Sequence, residues 1–138
     1  MKLTSDKVFF DTNIMVYCYT GNEPDKKVIS QKLALENDAN ISTQVVQEFI
    51  NVLSRKYKQD WPVIQNSIKN LPRYFNVFTN QFNTIVSATQ VADRYHLSFY
   101  DSLIIAAALE CDCTTLYSED MHDGLVIESK LTIINPFK

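Results

Sequence analysis

The apolar run Val8-Phe9-Phe10 ends in Asp11, and three further acids stand at comparable places: Glu48 within Ser42 to Phe49, Asp101 within Phe99 to Ile104, and Asp120 within Tyr117 to Met121. Each lies just beyond a predicted strand or on one edge of a predicted helix. Gathering four carboxylates is unfavourable, since two unit charges about 4 Å apart repel by roughly 4 kcal/mol at an effective dielectric of about 20. A cation must offset that repulsion. Hard divalent ions such as Mg²⁺ and Mn²⁺ prefer carboxylate oxygen and water, and Mg²⁺ keeps several waters while contacting substrate phosphate. The chemistry this set suits is metal-assisted hydrolysis of a phosphodiester.

Each acid also has a plainer explanation. Asp11 can cap a helix starting near Asn13, although one cap does not account for three more acids. Glu48 lies one step outside the apolar arc of Val45, Phe49, Val52 and Leu53, as a solvent-boundary residue would. Asp101 stands three residues after Ser98, the spacing of a capping box in which the acid returns to the first turn; capping and catalysis are compatible there. Asp120 belongs to the polar run Ser118 to Gly124, where a surface loop offers several acids. The joint placement carries the functional reading, not any one acid.

These residues need a scaffold, and strand-like and helix-like segments alternate along the chain without repeats. Strands are predicted over Val8–Phe10, Asn40–Ser42, Phe75–Phe78, Thr114–Tyr117 and Leu131–Ile134. The first helix runs from about Asn13 to Tyr19; after the turn Gly21-Asn22-Glu23-Pro24, a second passes through Ile29, Leu33 and Leu35. Val45 to Leu53 has helical apolar spacing. Trp61 to Leu71 is a helix begun by Asp60 as cap with Pro62 in its first turn. Two more helices cover Phe82–Tyr95 and Ser98 through Leu109. The pattern predicts an α/β fold of about five short parallel strands flanked by helices in three layers, as a single domain over 1–138. In such sheets a ligand binds beyond the carboxyl ends of the strands near a switch in strand order, where Asp11 and Asp120 fall.

Composition narrows the alternatives. A chain of 138 residues with 46% hydrophobic content can bury a core without staples. Cys18, Cys111 and Cys113 are an odd number in apolar stretches, which is no disulfide framework. Met1 to Lys7 holds no signal-like apolar run, and Leu103 to Leu109 is too short to cross a bilayer; the expectation is a cytoplasmic protein with no membrane contact. A net charge of -3 means that any phosphate-binding surface is local. Arg55, Lys56 and Lys58 are candidates for RNA contact, with Lys69 and Arg73 further on, and equally suit the negative end of a helix dipole. His96 and His122 make no zinc spacing with Cys111 and Cys113, and two glycines rule out a Gly-rich phosphate loop. Phe9, Phe10, Phe49, Phe75 and Phe78 fall on core positions, whereas Tyr57, Trp61 and Tyr74 are placed nearer the surface.

Five stretches together resemble one family: Val8-Phe9-Phe10-Asp11-Thr12-Asn13-Ile14-Met15, Ile41-Ser42-Thr43 to Gln47-Glu48-Phe49, Tyr100 to Ala108, Tyr117 to Met121, and Ile134-Asn135-Pro136-Phe137. The chain resembles the PIN domain superfamily, and most of all the VapC-type toxins of bacterial toxin–antitoxin pairs. The resemblance implies a PIN-like fold and a Mg²⁺- or Mn²⁺-dependent endoribonuclease in which Asp11, Glu48, Asp101 and Asp120 hold the metal, with Asn13 and Ser118 supporting them through hydrogen bonds. It also implies RNA products with 5′-phosphate and 3′-hydroxyl ends, a cognate antitoxin that covers the acidic site, and a homodimer. Two rivals remain. A haloacid-dehalogenase-like phosphatase needs a second Asp where this chain has Asn13, and a non-catalytic interaction module would use the acids as caps or as a passive metal site.

Overall fold

Val8, Phe9 and Phe10 are all buried, and a strand covered on both faces must be continuously apolar rather than alternating. The computed structural model, which describes residues 6–138, accordingly sets Lys7–Phe10 (β1) inside a sheet, parallel to Asp38–Ser42 (β2) on one side and to Thr115–Tyr117 (β4) on the other. The leader reading of Met1 to Lys7 falls largely outside the described residues. Asn76–Phe78 (β3) extends the sheet beyond β2, and Leu131–Ile134 (β6) extends it beyond β4, both in parallel. The chain thus builds outward from β1 on one side, then crosses to the other. That makes the crevice between the ends of β1 and β4 the switch point.

The expectation of about five parallel strands is corrected in one respect. Among the described residues the sheet has six strands, in the order β3-β2-β1-β4-β6-β5, and Val126–Ile127 (β5) runs antiparallel to β6. This strand is two residues long, and its turn uses Glu128 and Ser129, both at positive φ. Hairpin turns of that shape are normally signalled by Asn and Gly, so nothing in the local sequence announced it.

The flanking helices are Thr12–Tyr19 (α1), Pro24–Glu36 (α2), Thr43–Arg55 (α3), Trp61–Asn70 (α4), Phe82–Tyr95 (α5) and Phe99–Glu110 (α6). The helix predicted to reach Leu71 stops at Asn70 and tightens into a 3-10 turn over Leu71–Arg73, because Pro72 has no N–H and its ring clashes with a preceding carbonyl. Asp60 stands at the N-cap of α4 but makes no capping bond, another correction. One of the amides it would cap belongs to Pro62 and does not exist. His96 ends α5 in the left-handed conformation, as a helix-end residue.

Ser102 to Ala108 is buried without a break, so the middle of α6 is enclosed on every side, as a segment apolar all round must be. Phe10 meets Phe75 and Tyr117 edge-on, with ring centroids 5.5 and 6.0 Å apart. Phe9, Phe49 and Phe75 are buried with it, while Phe78 packs against the core from its edge strand. Trp61 and Tyr74 are exposed, but Tyr57 packs against the core instead. Cys113 belongs to the core and Cys111 packs on it, both as free thiols. No helix among the described residues is long and apolar enough to cross a membrane.

Candidate functional site

The chain leaves β1 in an extended conformation at Asp11, and this residue both caps α1 and opens the crevice. One carboxylate oxygen, Oδ1, accepts the Thr12 N–H at 2.7 Å; the other, Oδ2, accepts the hydroxyl of Ser118 at 2.7 Å. Ser118 is fully buried just after β4, and its own oxygen accepts the Met121 N–H at 3.2 Å. The Asp11 N–H donates to the Tyr117 carbonyl at 3.0 Å, which sews the ends of the two strands together. Ser118→Ala deletes two of these bonds in a buried setting. It is expected to cost about 1–3 kcal/mol, read as a lower urea midpoint.

Three other elements bring the remaining acids to the same place. On α3, Glu48 accepts a hydrogen bond from the Thr12 hydroxyl and a longer one, 3.4 Å, from the Gln44 amide. The same amide donates to the Tyr100 carbonyl at 3.1 Å, so one side chain ties Glu48 to the start of α6. Glu48 is therefore more than a solvent-boundary residue. At the start of α6, the Ser98 hydroxyl oxygen accepts the Asp101 N–H at 3.2 Å, but the return bond of a capping box is not made. The Asp101 carboxylate faces the crevice instead. Beyond β4, exposed Asp120 accepts the amide of Asn13.

The four carboxylates line one cleft of about 460 Å³, together with Asn13, Gln47, Asn51 and Tyr100, and no Lys, Arg or His among the described residues lines it. Burial pushes the Asp11 carboxyl up from 3.8 to about 6; the bonds from Ser118 and Thr12 pull it back, and the nearby Asp101 and Glu48 push it further up. A carboxylate strained chiefly by burial, and further by two like charges, is one that a bound cation would relieve. The donors are carboxylates, a hydroxyl and side-chain amides, the oxygen-rich set that suits hydrated Mg²⁺ or Mn²⁺. No three acids, histidines or cysteines among the described residues already converge as direct ligands. Mg²⁺ does not require that, because it is commonly held by one or two carboxylates plus water and substrate phosphate.

Not every sequence candidate joins the cleft. Arg55, Lys56 and Lys58 do not line it; Lys58 lies past the end of α3 at positive φ, and the Lys56 ammonium sits 5.6 Å from the Tyr57 ring centre. Asn51 lies three residues after Glu48 and four before Arg55, so one stripe of α3 leads from the cleft toward the basic cluster. Gln47 and Tyr100 fell within the motif stretches but were not singled out as site residues, and Asn51 was missed although it stands one turn after Glu48 on α3. A second cleft of about 460 Å³ lies among Tyr19, Gln31, Tyr74 and Phe75, and no acid among the described residues lines it. Its Cys18 thiol is pushed up to about 12 by burial, which makes it inert.

Residues 8–122 match the family model of the PIN domain. No curated protein matches the chain. Among solved structures it is similar to a toxin–antitoxin complex from Klebsiella pneumoniae, with 23% identity over 94% of this chain and 97% of that one and a TM-score of 0.69. It is also similar to VapC20 of Mycobacterium tuberculosis, a sarcin–ricin loop cleaving toxin, at 15% identity over 82% of this chain and 89% of that one, TM-score 0.67. A third similar structure is VapBC2 from Rickettsia felis bound to a DNA fragment from its promoter, at 18% identity over 83% and 88%, TM-score 0.60. At these identities the likeness is one of fold. The family match rests on sequence; it runs from β1 to the loop that bears Asp120 and so takes in all four carboxylates, and the chain belongs to the PIN domain family.

Proposed function

We propose that this protein is a divalent-metal-dependent endoribonuclease and the toxin of a toxin–antitoxin pair, acting as a single domain in the cytoplasm. The observation that carries this reading is the cleft where Asp11, Glu48, Asp101 and Asp120 meet at the switch point, with no cationic side chain among the described residues that line it. Its similarity in fold to a toxin that cleaves the sarcin–ricin loop supports RNA as substrate, and its similarity to toxin–antitoxin complexes supports a protein inhibitor as partner. Asn13, which donates to Asp120, stands where a haloacid-dehalogenase-like phosphatase needs an acid.

Asp11, Glu48, Asp101 and Asp120 would hold Mg²⁺ or Mn²⁺. A bound divalent ion supplies a more acidic water for in-line attack at phosphorus and charge to steady the leaving 3′ oxygen. The chain's own part is orientation. Thr12 and Ser118 fix the two Asp11 oxygens, Thr12 also fixes Glu48, and Asn13 steers Asp120. Arg55, Lys56 and Lys58 would receive the RNA backbone where it leaves the cleft along α3. An antitoxin arginine reaching the carboxylates could pair with them bidentately and replace the metal's charge. A homodimer belongs to the same reading.

The test is incubation of the purified protein with an RNA panel that includes transfer RNAs, in Mg²⁺, Mn²⁺ or EDTA. Cuts that leave 5′-phosphate ends and vanish in EDTA are expected. No cuts despite confirmed metal binding would sink the nuclease and leave an interaction module. Because proton and metal compete for Asp11, the half-saturating Mg²⁺ concentration is expected to rise as pH falls below about 6. A flat dependence between pH 5 and 7 would remove Asp11 from the metal site.

A further inference from the structure

Asn13 and Tyr17 stand one turn apart on α1 and grip two consecutive acids of the loop after β4. The Asn13 amide donates to Asp120, and the Tyr17 hydroxyl donates to Glu119 Oε1. Lys26, in the first turn of α2, closes an ion pair on the other Glu119 oxygen. Its ammonium lies 5.1 Å from the ring centre of Tyr17 and 5.3 Å from that of Phe137. Phe137 packs edge-on against Tyr17 at 5.4 Å. Two helices therefore meet at Glu119, with Phe137 packed on the Tyr17 and Lys26 side chains that hold it, and Glu119 is not among the residues that line the acidic cleft.

We propose that Glu119, clamped by Tyr17 and Lys26, is a positioning residue that holds the loop after β4 so that Asp120 faces the other three acids. The inference rests on the reading of Asp120 as part of a nuclease site. Its physical need is plain. Asp120 is exposed, and Asn13 is the one side chain bonded to it among the described residues. A carboxylate in that position stays aimed inward only if its backbone is fixed, and both oxygens of its neighbour are committed to fixing it. Lys26 has a further effect, since it balances the charge of Glu119 and leaves the loop with less repulsion to resist. Partners that orient a ligating carboxylate from behind are commonly worth about 10- to 100-fold in metal affinity.

Three readouts on Glu119→Ala, Tyr17→Phe, Lys26→Met and Lys26→Arg test the clamp: amide hydrogen exchange across residues 118–123 without metal, Mn²⁺ affinity by electron paramagnetic resonance, and kcat and KM for RNA. Glu119→Ala is expected to speed exchange at Asp120 and Met121 about tenfold and to weaken Mn²⁺ about tenfold or more. Its kcat should fall about 10- to 100-fold, with KM within about twofold. Tyr17→Phe keeps the ring packing and should show the same changes more weakly, which covers the case in which Glu119→Ala does not fold. Lys26→Arg should recover most of what Lys26→Met loses. Unaltered exchange and Mn²⁺ affinity in the folded variants would overturn the proposal, as would a raised KM at unchanged kcat, which means substrate contact instead. If the wild type cuts no RNA while exchange and Mn²⁺ affinity respond as expected, the clamp stands and the nuclease reading falls.

Discussion

Asp11→Asn is expected to lose RNA cleavage by about a thousandfold or more and, in the absence of metal, to be more stable than the wild type at neutral pH. The loss follows from removing the buried acid at the strand junction, whose two oxygens are held by Thr12 and Ser118. The gain follows from its titration. The folded carboxyl is raised to about 6 from 3.8, so the folded state binds the proton more tightly than the unfolded chain does. Stability associated with this group is fully present below about pH 4 and is lost as pH rises through about 6. The full shift corresponds to at most about 3 kcal/mol, and an amide escapes it. Urea midpoints in EDTA at pH 4.5 and 7.5 check this: the two proteins should differ most at the higher pH. A variant that cleaves at the wild-type rate would remove Asp11 from the chemistry, and one that is less stable at pH 7.5 would show that burial and like charge do not strain it.

Phe10→Ala should do the reverse, with the fold as its first casualty. Phe10 is fully buried, and its ring is met edge-on by Phe75 and Tyr117. Truncating such a ring costs about 3–5 kcal/mol through lost burial and the cavity left behind, a large part of the ~5–15 kcal/mol that holds a domain folded. Phe82→Ala is the control, since Phe82 is 77% exposed and should shift stability by no more than about 0.5 kcal/mol. Calorimetric melting in EDTA separates them. Equal losses from the two substitutions would mean that Phe82 is covered by something in solution.

Much of the fold was legible because its signals are local. β1 reads as a continuous apolar run, α3 shows its stripe, and α5 spans the predicted Phe82–Tyr95. What escaped depends on contacts between distant segments. β5 exists through its pairing with β6, and the half-made capping box at Ser98 reflects a carboxylate drawn to the cleft rather than to its own helix. In the site, Asp11 and Asp120 could be placed because each follows a strand. Taken alone Glu48 read as a solvent-boundary residue and it entered the site through the resemblance, since its anchor, Thr12, reaches it only once α1 packs on α3. The clamp on Glu119 was invisible for the same reason: Lys26 and Glu119 are 93 residues apart and neither has a neighbour that announces the other.

The pairing of β1 with β4 also imposes an order of events. Asp11 meets Ser118 from 107 residues further along, and every parallel pairing waits on the crossover that separates its strands. On a ribosome adding about 5–20 residues each second, Asp11 and Glu48 emerge well before the strand that closes the crevice, and Asp101 only shortly before it. A nascent chain stopped short of Thr115 has Asp11 without its serine and no Asp120 at all. The cleft is thus assembled only after β4 and the loop beyond it have emerged, and an inhibitor that recognises it meets only chains that extend past Asp120.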